Sequence, residues 1–303
     1  MSASTVRIGT RASALALAQA TLVAERLRGL GLAVETVTVS TQGDRARSDD
    51  SMLERGAFVK DLEIALLEGR VDLAVHSAKD LPTELTEGTT LAAFPPRGDA
   101  RDALVSLDGA RLADLPAGAR VGTESPRRRA FLRLERPDLV VEPVRGNVDT
   151  RLAKLDAGEI DALVLAAAGL ERLGRSERIA EAFPVARMIP AVGQGALALQ
   201  TRDADAWAER LRDVDDWGTR MEVTAERAFL RAMGGGCRAP FAAHASWSQG
   251  DLAVDAAALQ PDGGAIVRDR LVGPDEDAIA LGERLARRLL ERGAAGLAAD
   301  GNR

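Results

Sequence analysis

Cysteine occurs once in the 303 residues, which rules out an internal disulfide and points to a reducing compartment, the cytoplasm. Positive charge is not in excess either. A net charge of −6 argues against a general nucleic-acid partner, because neutralising a phosphate backbone requires a basic surface, so any basic patch must be local. Long hydrophobic runs are missing, and Met1 to Arg7 contains no apolar signal core; neither a membrane span nor a leader is expected. Lysine is scarce: Lys60, Lys79 and Lys154 stand alone among 40 basic residues, the rest being arginine. A lysine kept in such a chain marks a place that needs a compact ammonium rather than a planar guanidinium. What is present, 46% hydrophobic and 28% charged residues, is ordinary for a folded protein with room for two or three domains.

One of the three lysines lies in the stretch around which the chain is organised, Asp72 to Pro82. Val71 to Val75 reads as a short buried strand. It delivers His76, Ser77, Lys79 and Asp80 before Leu81-Pro82 breaks the element. Ligands of open α/β sheets bind beyond the carboxyl ends of strands, where these groups would sit.

The first two thirds repeat themselves. Arg7-Ile-Gly-Thr10 returns as Arg120-Val-Gly-Thr123, Leu32–Val37 as Leu139–Val144, and Gly69-Arg-Val-Asp72 as Gly158-Glu-Ile-Asp161, in the same order. Each copy reads strand, helix, strand, helix, strand, which predicts a parallel sheet with right-handed crossovers. The fold class is therefore α/β: two lobes of duplicated βαβαβ units, of the kind that close on a ligand by a hinge, plus a small C-terminal α+β domain. The expected divisions are 1–95 with 196–215, 100–189, and 218–303.

Ser13 and Ser125 are expected to cap helices, the second with Pro126 in its first position. In the first helix the apolar stripe is read as Ala14, Leu15, Ala18, Leu22 and Leu27. Both helix N-termini would offer free amides to an anion, supplemented by Arg11 and Ser13 in one lobe and by Thr123, Ser125, Arg127 and Arg128 in the other. Cations at a helix N-terminus oppose its dipole, which favours a ligand anion over a merely solvated first turn. Arg145 and Arg151 flank a Gly146-Asn147 loop and form a further anion contact. Phe94–Asp99 and Ile189–Gly195, rich in Pro and Gly, read as the crossings between lobes. Gln42–Glu54 reads as a mobile loop, followed by Arg55, Phe58 and Lys60 at the head of a helix. The C-terminal part reads as a helix, a Gly234–Pro240 loop, three antiparallel strands and a closing helix with Ile279, Leu281, Leu285 and Leu289 inward. The one cysteine, Cys237, lies on that glycine loop beside Arg238, which favours its thiolate.

Together Ala74–Asp80, Val144–Val148, Pro190–Gly195 and Gly235-Gly-Cys237 strongly resemble the porphobilinogen deaminase (hydroxymethylbilane synthase) family, over a span from about Arg7 to the last helix. The resemblance implies three domains, the first two like periplasmic binding proteins. It implies head-to-tail condensation of four porphobilinogen molecules with loss of ammonia, on a dipyrromethane primer held as a thioether by Cys237. It makes Asp80 the catalytic carboxylate. Lys79, Asp80, Ser125, Arg127, Arg128, Arg145 and Gly146 become cofactor contacts, and Arg11, Ser13, Thr123, Arg145 and Arg151 substrate contacts. Arg55, Phe58 and Lys60 support the chain from the loop-helix side. Glu124 departs from the family, standing where a small hydroxyl is common; Arg55, Pro126 and Gln200 depart too, standing where a lysine, an aliphatic residue and an acid are usual.

The chemistry suits these residue types. Each porphobilinogen carries two carboxylates, so the growing product is a polyanion that bidentate arginines bind well. Loss of ammonia leaves a cation that a facing carboxylate stabilises. On this reading replacement of Arg127 or Arg145 by leucine damages binding more than stability. The expected partner is porphobilinogen alone, with no metal, nucleic acid or membrane, and the chain is expected to be a monomer. The rival is a bilobal solute-binding or regulatory effector protein, which binds without chemistry and has no use for a tethering thiol.

Overall fold

Residues 5–39, 57–234 and 240–299 are described by a computed structural model. The elements run β1 (Val6–Thr10), α1 (Ala14–Gly29), β2 (Val34–Thr38), α2 (Ala57–Leu67), β3 (Leu73–Ser77) and β4 (Thr89–Ala93). Next come β5 (Asp102–Ser106), β6 (Arg120–Gly122), α3 (Pro126–Glu135), β7 (Val140–Glu142), α4 (Val148–Asp156), β8 (Ala162–Ala166), α5 (Ala167–Arg172) and β9 (Glu181–Ala182). The chain ends with β10 (Leu197–Arg202), α6 (Ala206–Arg210), α7 (Trp217–Ala232), β11 (Phe241–Ser248), β12 (Asp251–Leu259), β13 (Ile266–Pro274), α8 (Ala278–Glu291) and α9 (Ala294–Ala299). Two sheet-and-helix lobes and a small α+β C-terminal part result. The chain divides into two compact units, Met1–Gly98 with Ala196–Arg220, and Asp99–Gly195 with Met221–Arg303.

The repeated residues turn out to hold each lobe's sheet together. Asp72 accepts from the backbone N–H of Arg7 at 2.9 Å, and its other oxygen accepts from the guanidinium at 2.7 Å. Asp161 does the same for Arg120, at 2.7 and 2.9 Å. In each copy the aspartate N–H donates back to the arginine carbonyl at 2.9 Å. A bidentate clasp of this kind fixes the register of the first strand against the third.

The two sheets have matching orders, β2-β1-β3-β10-β4 and β7-β6-β8-β5-β9. The parallel arrangement predicted from the repeat holds for β1 with β2 and β3, and for β6 with β7 and β8. It fails at the fourth position. There β10 and β5 run antiparallel to both of their neighbours, because each enters from a crossing rather than from a helix.

The inward face of α1 also differs from expectation. Gln19, Ala20, Val23, Ala24 and Leu27 are buried, whereas Ala14 and Leu22 are exposed. With Leu and Ala on every face, the sequence offers little contrast from which to pick a side. In α2 the buried face includes Leu62, Ala65 and Leu66.

In the second unit the C-terminal meander joins the second sheet through a shared core, where Phe131 and Leu132 of α3 meet the small residues Ala242 and Ala257. α8 buries Leu281, Leu285 and Leu289 as expected, but Ile279 is turned out to solvent. Its Gly282 crosses α7 so closely that a Cβ would land on the carbonyl oxygen of Ala225. On α7, fully buried Glu226 accepts from the backbone N–H of Gly193 at 2.6 Å and of Ala245 at 2.8 Å, tying the 189–195 crossing to the meander.

Each unit buries one titratable group with consequences for stability. In the first, burial pushes His76 down to about 4, against the opposing influence of Glu63, Gln200 and Asp80. Beside it Gln200 donates to Glu63 and to Thr89, both at 2.8 Å. In the second, Asp102 is desolvated, yet Arg127 and Arg128 hold its carboxyl well below the usual range. Unfolded histidine binds a proton near pH 6.5, so His76 stabilises the fold above that pH and this stability is lost as pH falls toward 4. Asp102 contributes above about pH 4 and is lost below it. Denaturation followed across pH should therefore show an acid limb in two stages, the first worth about 3 kcal/mol. His76→Gln should flatten the stage between pH 6.5 and 4 and leave the lower one; an unchanged upper stage would exclude His76 as its source.

Candidate active site

β1 and β3 are parallel neighbours, with Gly9 opposite Ala74, so the segments after the two strands leave the sheet at the same edge. After β1 come Arg11 and Ser13, and the Ser13 hydroxyl caps α1 by accepting from the Ala16 N–H at 3.3 Å. After β3 the chain makes a single 3-10 turn, Ala78–Asp80, and then extends at Leu81. That turn leaves Lys79 and Asp80 half-buried at the strand's carboxyl end, while His76 below them is buried. Gln19, itself buried, donates from its amide to the Ser77 hydroxyl at 2.8 Å and so pins α1 to this edge.

In the second unit the same edge carries different groups. Counting from the matched pair Asp72 and Asp161, Lys79 corresponds to Ala168 and Asp80 to Gly169. The duplicated fold thus presents an acid and an ammonium in one copy and neither in the other. The second copy instead concentrates cations. Ser125 caps α3 by accepting from the Arg128 N–H at 3.4 Å, with Pro126 in the first turn, and the buried Thr123 hydroxyl accepts from the Ser125 N–H at 3.2 Å.

Arg127 and Arg128 are not the solvated first turn of a helix. Arg127 donates to Asp102 at 2.6 Å and to the Ile189 carbonyl at 2.7 Å. Arg128 donates to Asp102 at 2.8 Å, to the Val164 carbonyl at 2.9 Å and to Gln194 at 3.2 Å. Gln194 in turn donates to Asp102 at 2.9 Å. Burial lowers the pKa of Arg128, and the charges of Arg127 and Arg151 push the same way, which places these cations in one another's field. The buried Nε of Arg127 has no hydrogen-bond partner.

The loop after β7 completes the cluster. Gly146 has φ +114, and a Cβ there would meet Thr150 at 2.7 Å, so only glycine fits. Asn147 caps α4, accepting from the Thr150 N–H at 2.8 Å, and Arg151 donates to the Gly146 carbonyl at 2.9 Å. Arg145 is exposed and pairs with Glu124 at 3.5 Å. Four arginines thus share this end of the unit, two of them on Asp102 and one on Glu124. That donor set, with free helix amides beside it, fits a group bearing several carboxylates.

Of the other sequence-predicted residues, Lys60 is exposed on α2 and Phe58 falls in that helix's first turn. Cys237 and Arg55 lie outside the described residues. The sequence reading missed Asp102, Gln194 and Gln19 as contributors. For Asp102 a signal existed: an acid heading the fully buried strand Asp102–Ser106 requires a partner. The geometry also separates two arginines treated alike above. Arg145→Leu should weaken ligand binding at unchanged melting temperature. Arg127→Leu should cost stability as well, about 3–5 kcal/mol, because it strips Asp102 of one buried partner. Equal melting temperatures for the two variants in thermal denaturation would contradict this.

Two family models cover nearly all of the chain: "Porphobilinogen deaminase, dipyromethane cofactor binding domain" matches residues 6–210, and "Porphobilinogen deaminase, C-terminal domain" matches residues 220–291. A porphobilinogen deaminase of Syntrophotalea carbinolica is 47% identical over 300 residues, covering 97% of this chain and 95% of its own. One of Acidothermus cellulolyticus is 50% identical over 299 residues, covering 96% and 90%. A periplasmic substrate-binding protein of an ABC transporter from Coxiella burnetii is 18% identical, with a TM-score of 0.42 over 69% of this chain and 91% of its own, a likeness too slight to argue from. The chain belongs to the porphobilinogen deaminase family.

Proposed function

We propose that the chain is a hydroxymethylbilane synthase in which Asp80 is the catalytic carboxylate, condensing four porphobilinogen molecules with release of ammonia in tetrapyrrole biosynthesis. The observation that carries the assignment to Asp80 is the contrast between the duplicated edges: the acid stands after β3, and glycine stands at the matching place after β8. A dipyrromethane group, when bound through Cys237, supplies the pyrrole terminus onto which substrate is added. Residues 218–303 would be the domain that carries it.

The chain's own residues do the rest. In the second unit Arg127, Arg128, Arg145 and Arg151, with Ser125, Thr123 and the Gly146 loop, are the groups for carboxylates of cofactor and substrate; in the first unit these groups are Arg11, Ser13 and Lys79. Asp80, half-buried at its strand end, faces a pyrrole N–H with a carboxylate oxygen. There it offsets positive charge as ammonia departs and takes up the proton released when the pyrrole regains aromaticity. Lys60, Arg55 and Phe58 support the growing chain. The single cysteine supports a reducing, cytoplasmic setting, and the acidic net charge supports the absence of nucleic acid. A monomer suffices for this chemistry.

Two measurements test the assignment. Asp80→Asn should fold and retain its cofactor yet lose on the order of 10²–10⁴ in turnover of porphobilinogen. Near-normal turnover in that variant would remove Asp80 from the mechanism. Intact mass of the purified protein should exceed the sequence mass by two pyrrole units, whereas Cys237→Ala should show the bare mass, a lower melting temperature and no tetrapyrrole product. Full activity at the bare mass would refute the tethered primer.

A further inference from the structure

Glu124 lies between two fixed points. Thr123 before it is buried and donates its N–H to the Glu142 carbonyl at 2.9 Å, and Ser125 after it caps α3. The backbone is therefore held and only the side chain is free to swing. One carboxylate oxygen of Glu124, Oε1, is buried without a hydrogen-bond partner. The same oxygen is 3.5 Å from Nε of Arg145, a longer approach than the ~2.8 Å of a charge-assisted hydrogen bond. The Arg145 side chain is 56% exposed, and Glu124 is its sole ion-pair partner among the described residues. A loose internal carboxylate thus sits on the most accessible cation of the arginine cluster.

We propose that Glu124 is a specificity- and affinity-setting residue: an internal competitor that a carboxylate of the incoming pyrrole must displace from Arg145. The inference rests on the functional reading above and on Arg145 as a substrate contact. Its physical content is an exchange. Binding breaks one exposed ion pair and forms another, so the arginine yields less net affinity than a free guanidinium would. The exchange also cancels most of the salt effect at this position, since both pairs are screened alike. With Glu124 neutral, binding forms a pair without breaking one, so affinity rises and depends more steeply on salt. Discrimination changes too: a pyrrole lacking the relevant carboxylate leaves the Glu124–Arg145 pair intact, and so loses less relative to porphobilinogen than it would at a neutral residue.

Full-length wild type, Glu124→Gln and Glu124→Ser, each checked by intact mass for the same adduct, should be compared in porphobilinogen consumption at several KCl concentrations. Both variants should show a KM about two- to fivefold below wild type, the range expected from removing one exposed ion pair, with kcat nearly unchanged. The rise of KM with salt should be steeper in the variants than in wild type. If either variant fails to fold, the other decides. A KM that is unchanged or raised, or a salt slope equal to that of wild type, overturns the proposal. Failure of the wild type itself to consume porphobilinogen would instead overturn the underlying functional reading.

Discussion

Asp102 has no exposure to solvent and yet faces two guanidiniums and a side-chain amide. Stripping such a carboxylate of water costs several kcal/mol, and the cost is met only while all three donors stay in place. The rest of the second unit's working end depends on that condition. The donors come from the first turn of α3 and from Gln194, while Arg127 also reaches the Ile189 carbonyl. One acid therefore fixes a helix terminus, a strand start and the crossing segment against each other. It also leaves the cluster cationic, since two arginines share a single countercharge.

The duplicated architecture carries different residue types on its two copies, an ammonium and an acid after β3 in one and a cluster of arginines in the other. Both sheets are clasped by the same arginine–aspartate pair and share the same strand order. They differ at the carboxyl edge, where β3 runs out into Ser77-Ala-Lys-Asp80 and β8 into Ala166-Ala-Ala-Gly169. The repeat governs the scaffold, and the departures from it carry the charged groups that set the two copies apart.

Much of this was legible in the sequence, and the reasons are local. The repeat was visible because the clasp demands particular residues at particular places. The caps at Ser13 and Ser125 were visible because a hydroxyl ahead of an apolar period has few other uses. The face of α1 was not, since its alternating Leu and Ala carry almost no contrast. The antiparallel entry of β5 and β10 was not, because strand direction is decided by where a crossing arrives and not by the strand's own residues. Asp102 escaped notice for a related reason: its partners lie 25, 26 and 92 residues away along the chain. Glu124 was conspicuous as an oddity, but only the structure shows which arginine it touches.

The order β2-β1-β3-β10-β4 has a bearing on how the chain comes off the ribosome. β4 pairs only with β10 in that order, and β10 follows the whole of the second lobe in the chain. While the second lobe is being made, β3 and β4 both present an unpaired edge, a surface prone to wrong partners. The second sheet has no such delay, because all its strands are contiguous in the chain. The first sheet to be started is thus the last of the two to receive all its strands, and a nascent chain halted before Leu197 would hold every strand of the second sheet while the first still lacked β10.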